Sequence, residues 1–210
     1  MYLGYEKNME ERLQYFLEDV EQKVNLDDTT KVLSRLAVMI GSQGIDLFKQ
    51  YLPYAYTKVS GLQIQEVVYQ ATAYLGMSRV YPFVQCLGQH VDSSTTTIEN
   101  RLEVGSAKQC ELFGPHMKDF YKGGQVNQWL AENCFGDYYT REGLDNKQRE
   151  WCTFCYLYAQ GGVEPQLKSH IAANLGLGTS KEFLLDIVKY NIPMIGYPRT
   201  LNAIRCVEEA

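Results

Sequence analysis

The sequence predicts an all-α fold, and three observations carry that expectation. Apolar residues recur every three or four positions from the first segment onward, the C-terminal third is punctuated by helix caps and stops, and alternating strand patterns closed by Asn-Gly or Asp-Gly turns are missing. In the first segment Met9, Leu13, Phe16, Leu17, Val20 and Val24 form one stripe with acids and amides between them, so this helix needs a partner surface. The run YLPYAYTKV, residues 51–59, is Tyr-rich and leaves helix and strand locally open. Residues 92–143 open on the cap sequence DSSTTT and read as two more helices.

The C-terminal helices are set out by their punctuation. Asp145 with Gln148 reads as a capping box, in which the carboxylate accepts from first-turn amides and the glutamine reaches back. A helix then runs through REWCTFCYLYAQ to Gly161-Gly162. Pro165 suits the first helical position, where a missing amide hydrogen costs nothing, and Leu167, His170, Ile171, Asn174 and Leu175 follow on one face until Gly176. Thr179 with Glu182 predicts the next cap, leading into Phe183, Leu184, Ile187 and Val188. Pro193 should end or kink that helix, and a final short helix should begin at Pro198 and carry Leu201, Ile204 and Val207.

An internal repeat is expected beneath this pattern. One constant shift carries Glu66 onto Glu182 and Tyr81-Pro82 onto Tyr197-Pro198, and it places Tyr54 in register with His170. We therefore expect a tandem duplication in one body, with a degenerate N-terminal repeat over residues 1–91 and a C-terminal repeat over residues 92–210.

Composition narrows the function classes. A chain of 210 residues that is 45% hydrophobic can build a substantial core. The net charge of -5 comes from acids and bases mixed along the chain, so neither nucleic acid nor a membrane is an expected partner. The charged N-terminal segment reads as neither signal peptide nor anchor, which predicts a cytoplasmic protein whose six cysteines are reduced thiols.

Among the candidate site residues His170 comes first. A neutral imidazole on the inner face of its helix can take and return a proton, and Glu150, on the preceding antiparallel helix, can orient it. The alternative is a hydrogen-bonded core histidine beside a first-turn charge. Glu164 reads as a cap. Cys152 and Cys155 form a C-x-x-C one turn apart and could cycle through a disulfide. Their distance from the Asp145 cap and their flanks Trp151, Phe154 and Leu157 point instead to buried packing. No metal site is expected, because His90, His116 and His170 show no ligand spacing to that pair, and no cofactor is implied. Tyr197, in a turn at the mouth of a helical unit, is a candidate pocket edge, with Tyr54 and Arg149 as further pocket candidates. Lys147, Arg149 and Arg199 could attract a carboxylated ligand or simply be solvated.

The runs RLEVGSAKQCELFG, LAENCFGDYYTREGLDNKQRE, GGVEPQLKSHIAANLGLGTSKEFLLDIV and IGYPRTLNAI resemble the carboxymuconolactone decarboxylase family, which shares its helical fold with alkylhydroperoxidase D-like proteins. The resemblance covers about residues 99 to 207 and extends more weakly over residues 26 to 90. It implies an alkylhydroperoxidase D-like helical fold that self-associates into trimers or hexamers. Its motifs fall here on Arg149-Glu150, His170, the Glu182 segment, and Gly196 with Pro198. The peroxidase branch carries Cys-x-x-Cys-x-x-x-His, yet Val163 and Gln166 stand where those thiols would be. The resemblance thus implies an acid–base enzyme acting on a small carboxylated or lactone substrate, with His170 and Glu150 as its working pair. Its rivals are a thiol-dependent peroxidase or reductase using Cys152 and Cys155, and a non-catalytic binding or scaffold protein.

Overall fold

The computed structural model describes residues 4–88 and 99–210, and among these the chain is helical with no strand. His90 and the DSSTTT cap lie outside the described residues. The helices are α1 (Lys7–Lys23), α2 (Asp28–Gly41), α3 (Ile45–Ala55), α4 (Gly61–Leu75), α5 (Met77–Leu87), α6 (Arg101–Phe113), α7 (Gln125–Trp129), α8 (Asn146–Gln160), α9 (Glu164–Gly176), α10 (Lys181–Tyr190) and α11 (Ile192–Glu208). The segment expected to hold two helices contains α6, two short 3-10 turns, and α7 running into a π-helix over Leu130–Tyr138.

Local chemistry explains most boundaries. Asp145 and Gln148 form the expected reciprocal box on α8, and Ser60 with Gln63 forms another on α4. The cap of α10 is Ser180 rather than Thr179, since it is the Ser180 hydroxyl that accepts from the Phe183 amide. Pro165 stands one residue inside α9, which begins at Glu164. Gly196 adopts φ 73°, ψ 175° within α11, so the last helical stretch resumes at Tyr197-Pro198, close to the expected start. The Tyr-rich run resolves as the end of α3 and a following turn.

Two helices are buried almost all round. α2 is enclosed from Val32 to Gly41 and α8 from Arg149 to Ala159, the pattern of helices at the centre of a bundle rather than on its face. They pack against each other, α4 lies against both, and α9 covers α8. One hydrophobic core runs from Val20 to Val207 through both expected repeats, and a small second cluster gathers Leu112, Cys134, Phe135 and Tyr139. α6 rides directly on the π-helix: a Cβ on Gly105 would fall 1.8 Å from the Ala131 carbonyl oxygen, so only glycine allows this approach. The stripe of α1 is only partly covered, with Val20 and Val24 buried and Met9 exposed. No helix among the described residues is long and apolar enough to cross a membrane.

Candidate functional site

His170 lies on the inner face of α9 and lines a cavity of about 710 Å³. Its Nδ1 is 2.7 Å from Glu150 Oε2, and Glu150 is fully buried on α8. The rings of Tyr74 and Phe113 each meet the imidazole edge-on at 5.4 Å, which fixes its plane from two sides. At 8% exposure the histidine is recessed but reaches the cavity. The wall is otherwise largely apolar, with Phe113, Met117, Phe120, Leu130 and Phe135 prominent, and it includes no lysine or arginine.

The hydrogen bonds behind this pair run in one direction. Arg149 can only donate, and its Nη1 gives a hydrogen to Gln70 Oε1 at 2.9 Å. That orients the Gln70 amide, whose Nε2 donates to Thr153 Oγ1 at 2.9 Å and to the Arg149 carbonyl. The Thr153 hydroxyl therefore passes its own hydrogen to the Tyr139 hydroxyl at 2.9 Å, and Tyr139 donates to Glu150 Oε1 at 2.8 Å. Tyr74 meets Tyr139 at 2.7 Å; since the single Tyr139 hydrogen is already committed, Tyr74 is the donor. Cys134 in turn gives its S–H to Tyr74 at 3.6 Å. The chain from Arg149 through Gln70, Thr153 and Tyr139 ends on Glu150, which accepts at both oxygens. His170 then presents Nδ1–H to that carboxylate, which leaves Nε2 as the ring nitrogen outside that contact.

A second buried acid lies close by. Glu66, on α4, accepts from Arg141 Nε at 2.8 Å and from Arg149 Nη2 at 3.1 Å, and Arg149 also donates to the carbonyls of Arg141 and Glu142. The loop tightens at Gly143, where φ is 95° and a Cβ would come within 2.9 Å of the Glu66 and Leu62 side chains.

The structure gathers some expected site residues and separates others. Glu150 and His170 meet, and Val163 and Gln166 line the same cavity. Arg149 is fully buried in the Glu66 cluster rather than open to a ligand, because its charge is already matched there. Tyr54 is exposed on α3 beside Tyr51 and Lys58, and Tyr197 is exposed at the α11 break; neither lines the cavity. Arg199 donates to the Ala159 carbonyl, Glu164 accepts from Asn202, and Glu182 is exposed in the first turn of α10. Cys152 and Cys155 are free thiols, fully buried and away from the cavity wall. Burial pushes both well above the ordinary thiol range, so the conditions for a reactive thiolate are lacking. Among the described residues no group of His, Cys, Asp and Glu could hold a metal ion.

Four side chains escaped the sequence reading: Tyr74, Gln109, Cys134 and Tyr139. The last two depend on the π-helix, whose wider winding brings residue 139 rather than 138 round to the side of Cys134, so that both reach Tyr74. Gly136 within the helical run is the one local sign of this irregularity. Burial pushes the Cys134 thiol up to about 12, so it stays protonated with its hydrogen turned toward Tyr74.

No curated protein matches the chain. The model of the Carboxymuconolactone decarboxylase family matches residues 124–209, a span that contains Cys134, Tyr139, Glu150 and His170, while Tyr74, Gln109 and Phe113 complete the cavity from outside it. Residues 124–209 of the chain are thus similar to the Carboxymuconolactone decarboxylase family.

Proposed function

We propose that the protein is an acid–base enzyme in which His170 Nε2 removes a proton from a small lactone or other carbonyl substrate and returns it, with Glu150 holding the ring and balancing the imidazolium that forms. The observation that carries this reading is the 2.7 Å contact between Nδ1 and a fully buried carboxylate at the wall of a cavity. The donor network supports it, since a carboxylate fed by Tyr139 has no need of a second donor from the protein beyond Nδ1–H. The wall favours a lactone over a carboxylated substrate, because among the described residues the only basic side chains lining it are His116 and His170. The buried dithiol and the inward-turned Cys134 hydrogen weigh against a thiol peroxidase. Self-association belongs to the same proposal. Phe120, Val126 and Trp129 expose apolar surface along the segment that borders the cavity, and a second copy would cover it. Light scattering is expected to give a mass above that of a monomer.

The test is solvent-deuterium exchange, followed by proton NMR, across a panel of butenolides, β-keto lactones and small ketones. His170→Ala should slow exchange of an accepted compound by about 10²- to 10⁴-fold, and Glu150→Gln should slow it less. Exchange indifferent to His170→Ala would overturn the reading.

A further inference from the structure

Gln109 stands on α6 and forms part of the wall of the His170 cavity. It is fully buried, yet among the described residues neither its Oε1 nor its Nε2 has a hydrogen-bond partner. A buried amide with no protein partner at either atom destabilises a fold. Kept on the wall of a cavity, such a group is explained by a partner that comes from outside. Glu150 accepts at both oxygens, and Tyr139 and Tyr74 have given their hydrogens; His116, Gln160, Gln166 and Ser169 share the wall with Gln109. The wall it shares is rich in aromatic rings, with Phe113, Phe120 and Phe135 among them.

We infer that the cavity takes an uncharged molecule with a flat, aromatic-sized body and a head that offers an acceptor and a donor on neighbouring atoms, as a carboxamide or a hydroxy-lactone does, and that Gln109 pairs with that head. Nε2–H donates to the ligand carbonyl, and Oε1 accepts from its N–H or O–H. A carboxylate is a poorer fit, since it brings acceptors only, leaves Oε1 bare and meets no lysine or arginine. Full burial of the amide means that a neighbour gives way as the head enters. Phe113, one helical turn further along the same face and already in the wall, is placed to do so. The inference rests on the His170 cavity being the working site and names the class of molecule it receives.

Three probes of one size separate the terms: benzamide, with donor and acceptor; acetophenone, with an acceptor alone; and benzoate, charged. Binding to the full chain is measured by titration calorimetry and protein NMR for wild type, Gln109→Leu and His170→Ala. Wild type should bind benzamide about fivefold to tenfold more tightly than acetophenone, with benzoate weakest. Gln109→Leu should abolish that preference and raise Tm, because it removes two unpaired buried atoms while keeping the volume. Gln109→Met, which keeps the length of the side chain, should behave alike. His170→Ala should keep the preference, so a failure of the acid–base reading shows as absent exchange with selective binding intact. Equal binding of benzamide and acetophenone by wild type, a preference that survives Gln109→Leu, or a fall in Tm in both Gln109 variants would overturn the inference.

Discussion

Glu66 and Glu150 are both fully buried carboxylates on core helices, and Gln70 and Arg149 join their surroundings into one network. Glu66 faces two guanidinium groups and does not line the His170 cavity. Glu150 faces a tyrosine hydroxyl and an imidazole that opens onto it. Burial is therefore common to both and distinguishes neither. What separates a clamp from a candidate catalytic pair is whether the partner can change its charge and whether a ligand can reach that partner.

The comparison breaks most visibly in stability. Glu66→Ala leaves Arg149 buried without its counter-charge and should cost about 3–5 kcal/mol in urea unfolding. Replacing both partners, as Glu66→Leu with Arg149→Met, should recover much of that loss. Equal losses for single and double variants would mean that Arg149 acts through its backbone-carbonyl bonds alone. Glu150→Gln, by contrast, removes no charge from a fixed pair and should cost about 1–3 kcal/mol while slowing exchange less than His170→Ala does.

Alkali tests the burial that surrounds both acids. The pKa values of Cys152, Cys155, Tyr74, Tyr139, Tyr156 and Tyr158 are raised in the folded chain, chiefly by burial. Above the ordinary thiol value of 9.0 and tyrosine value of 10.0, the unfolded chain therefore releases protons that the folded chain retains. The stabilisation is complete below those values and is lost as pH rises toward the folded ones. The two thiols alone should remove roughly 3 kcal/mol between pH 8 and pH 10, read from denaturation midpoints across that range. A flat profile would show that these groups are hydrated.

Smaller effects sharpen the direction of the network. Nitrogen-15 shifts should find His170 protonated at Nδ1 with Nε2 bare. Tyr139→Phe, which removes one donor from Glu150, should cost about 1 kcal/mol and slow exchange less than His170→Ala does. An Nε2–H tautomer in wild type would reverse the donor chain derived above. The smallest test is thiol labelling. The half-buried Cys86 and Cys110 should react with iodoacetamide in the native protein, while Cys152 and Cys155 react only after unfolding.

The helices could be read in advance because their signals are local. The Asp145–Gln148 box, the glycine stop at Gly161 and the apolar spacing around His170 all act within about a turn of the residues they govern. The cap of α10 missed by one residue because Thr179 and Ser180 are chemically alike and only backbone geometry chooses between them. Tyr54, aligned with His170 by the expected repeat, shows the limit of register: a shift along the sequence says nothing of whether a side chain meets a cavity. Glu66 and Glu182 make the same point, one locked in an ion cluster and the other in solvent.

Taken alone, the chain of residues dictates helices, their ends and the inward turn of His170, since those follow from hydrogen bonds and spacing between near neighbours. Contacts between distant segments belong to the packed molecule: Tyr74 with Tyr139, Glu66 with Arg149, and Gln109 left without a partner. No local rule reaches across so many residues. Each of these pairings, and the missing one, exists only because helices remote in sequence are pressed together and must share one dry interior.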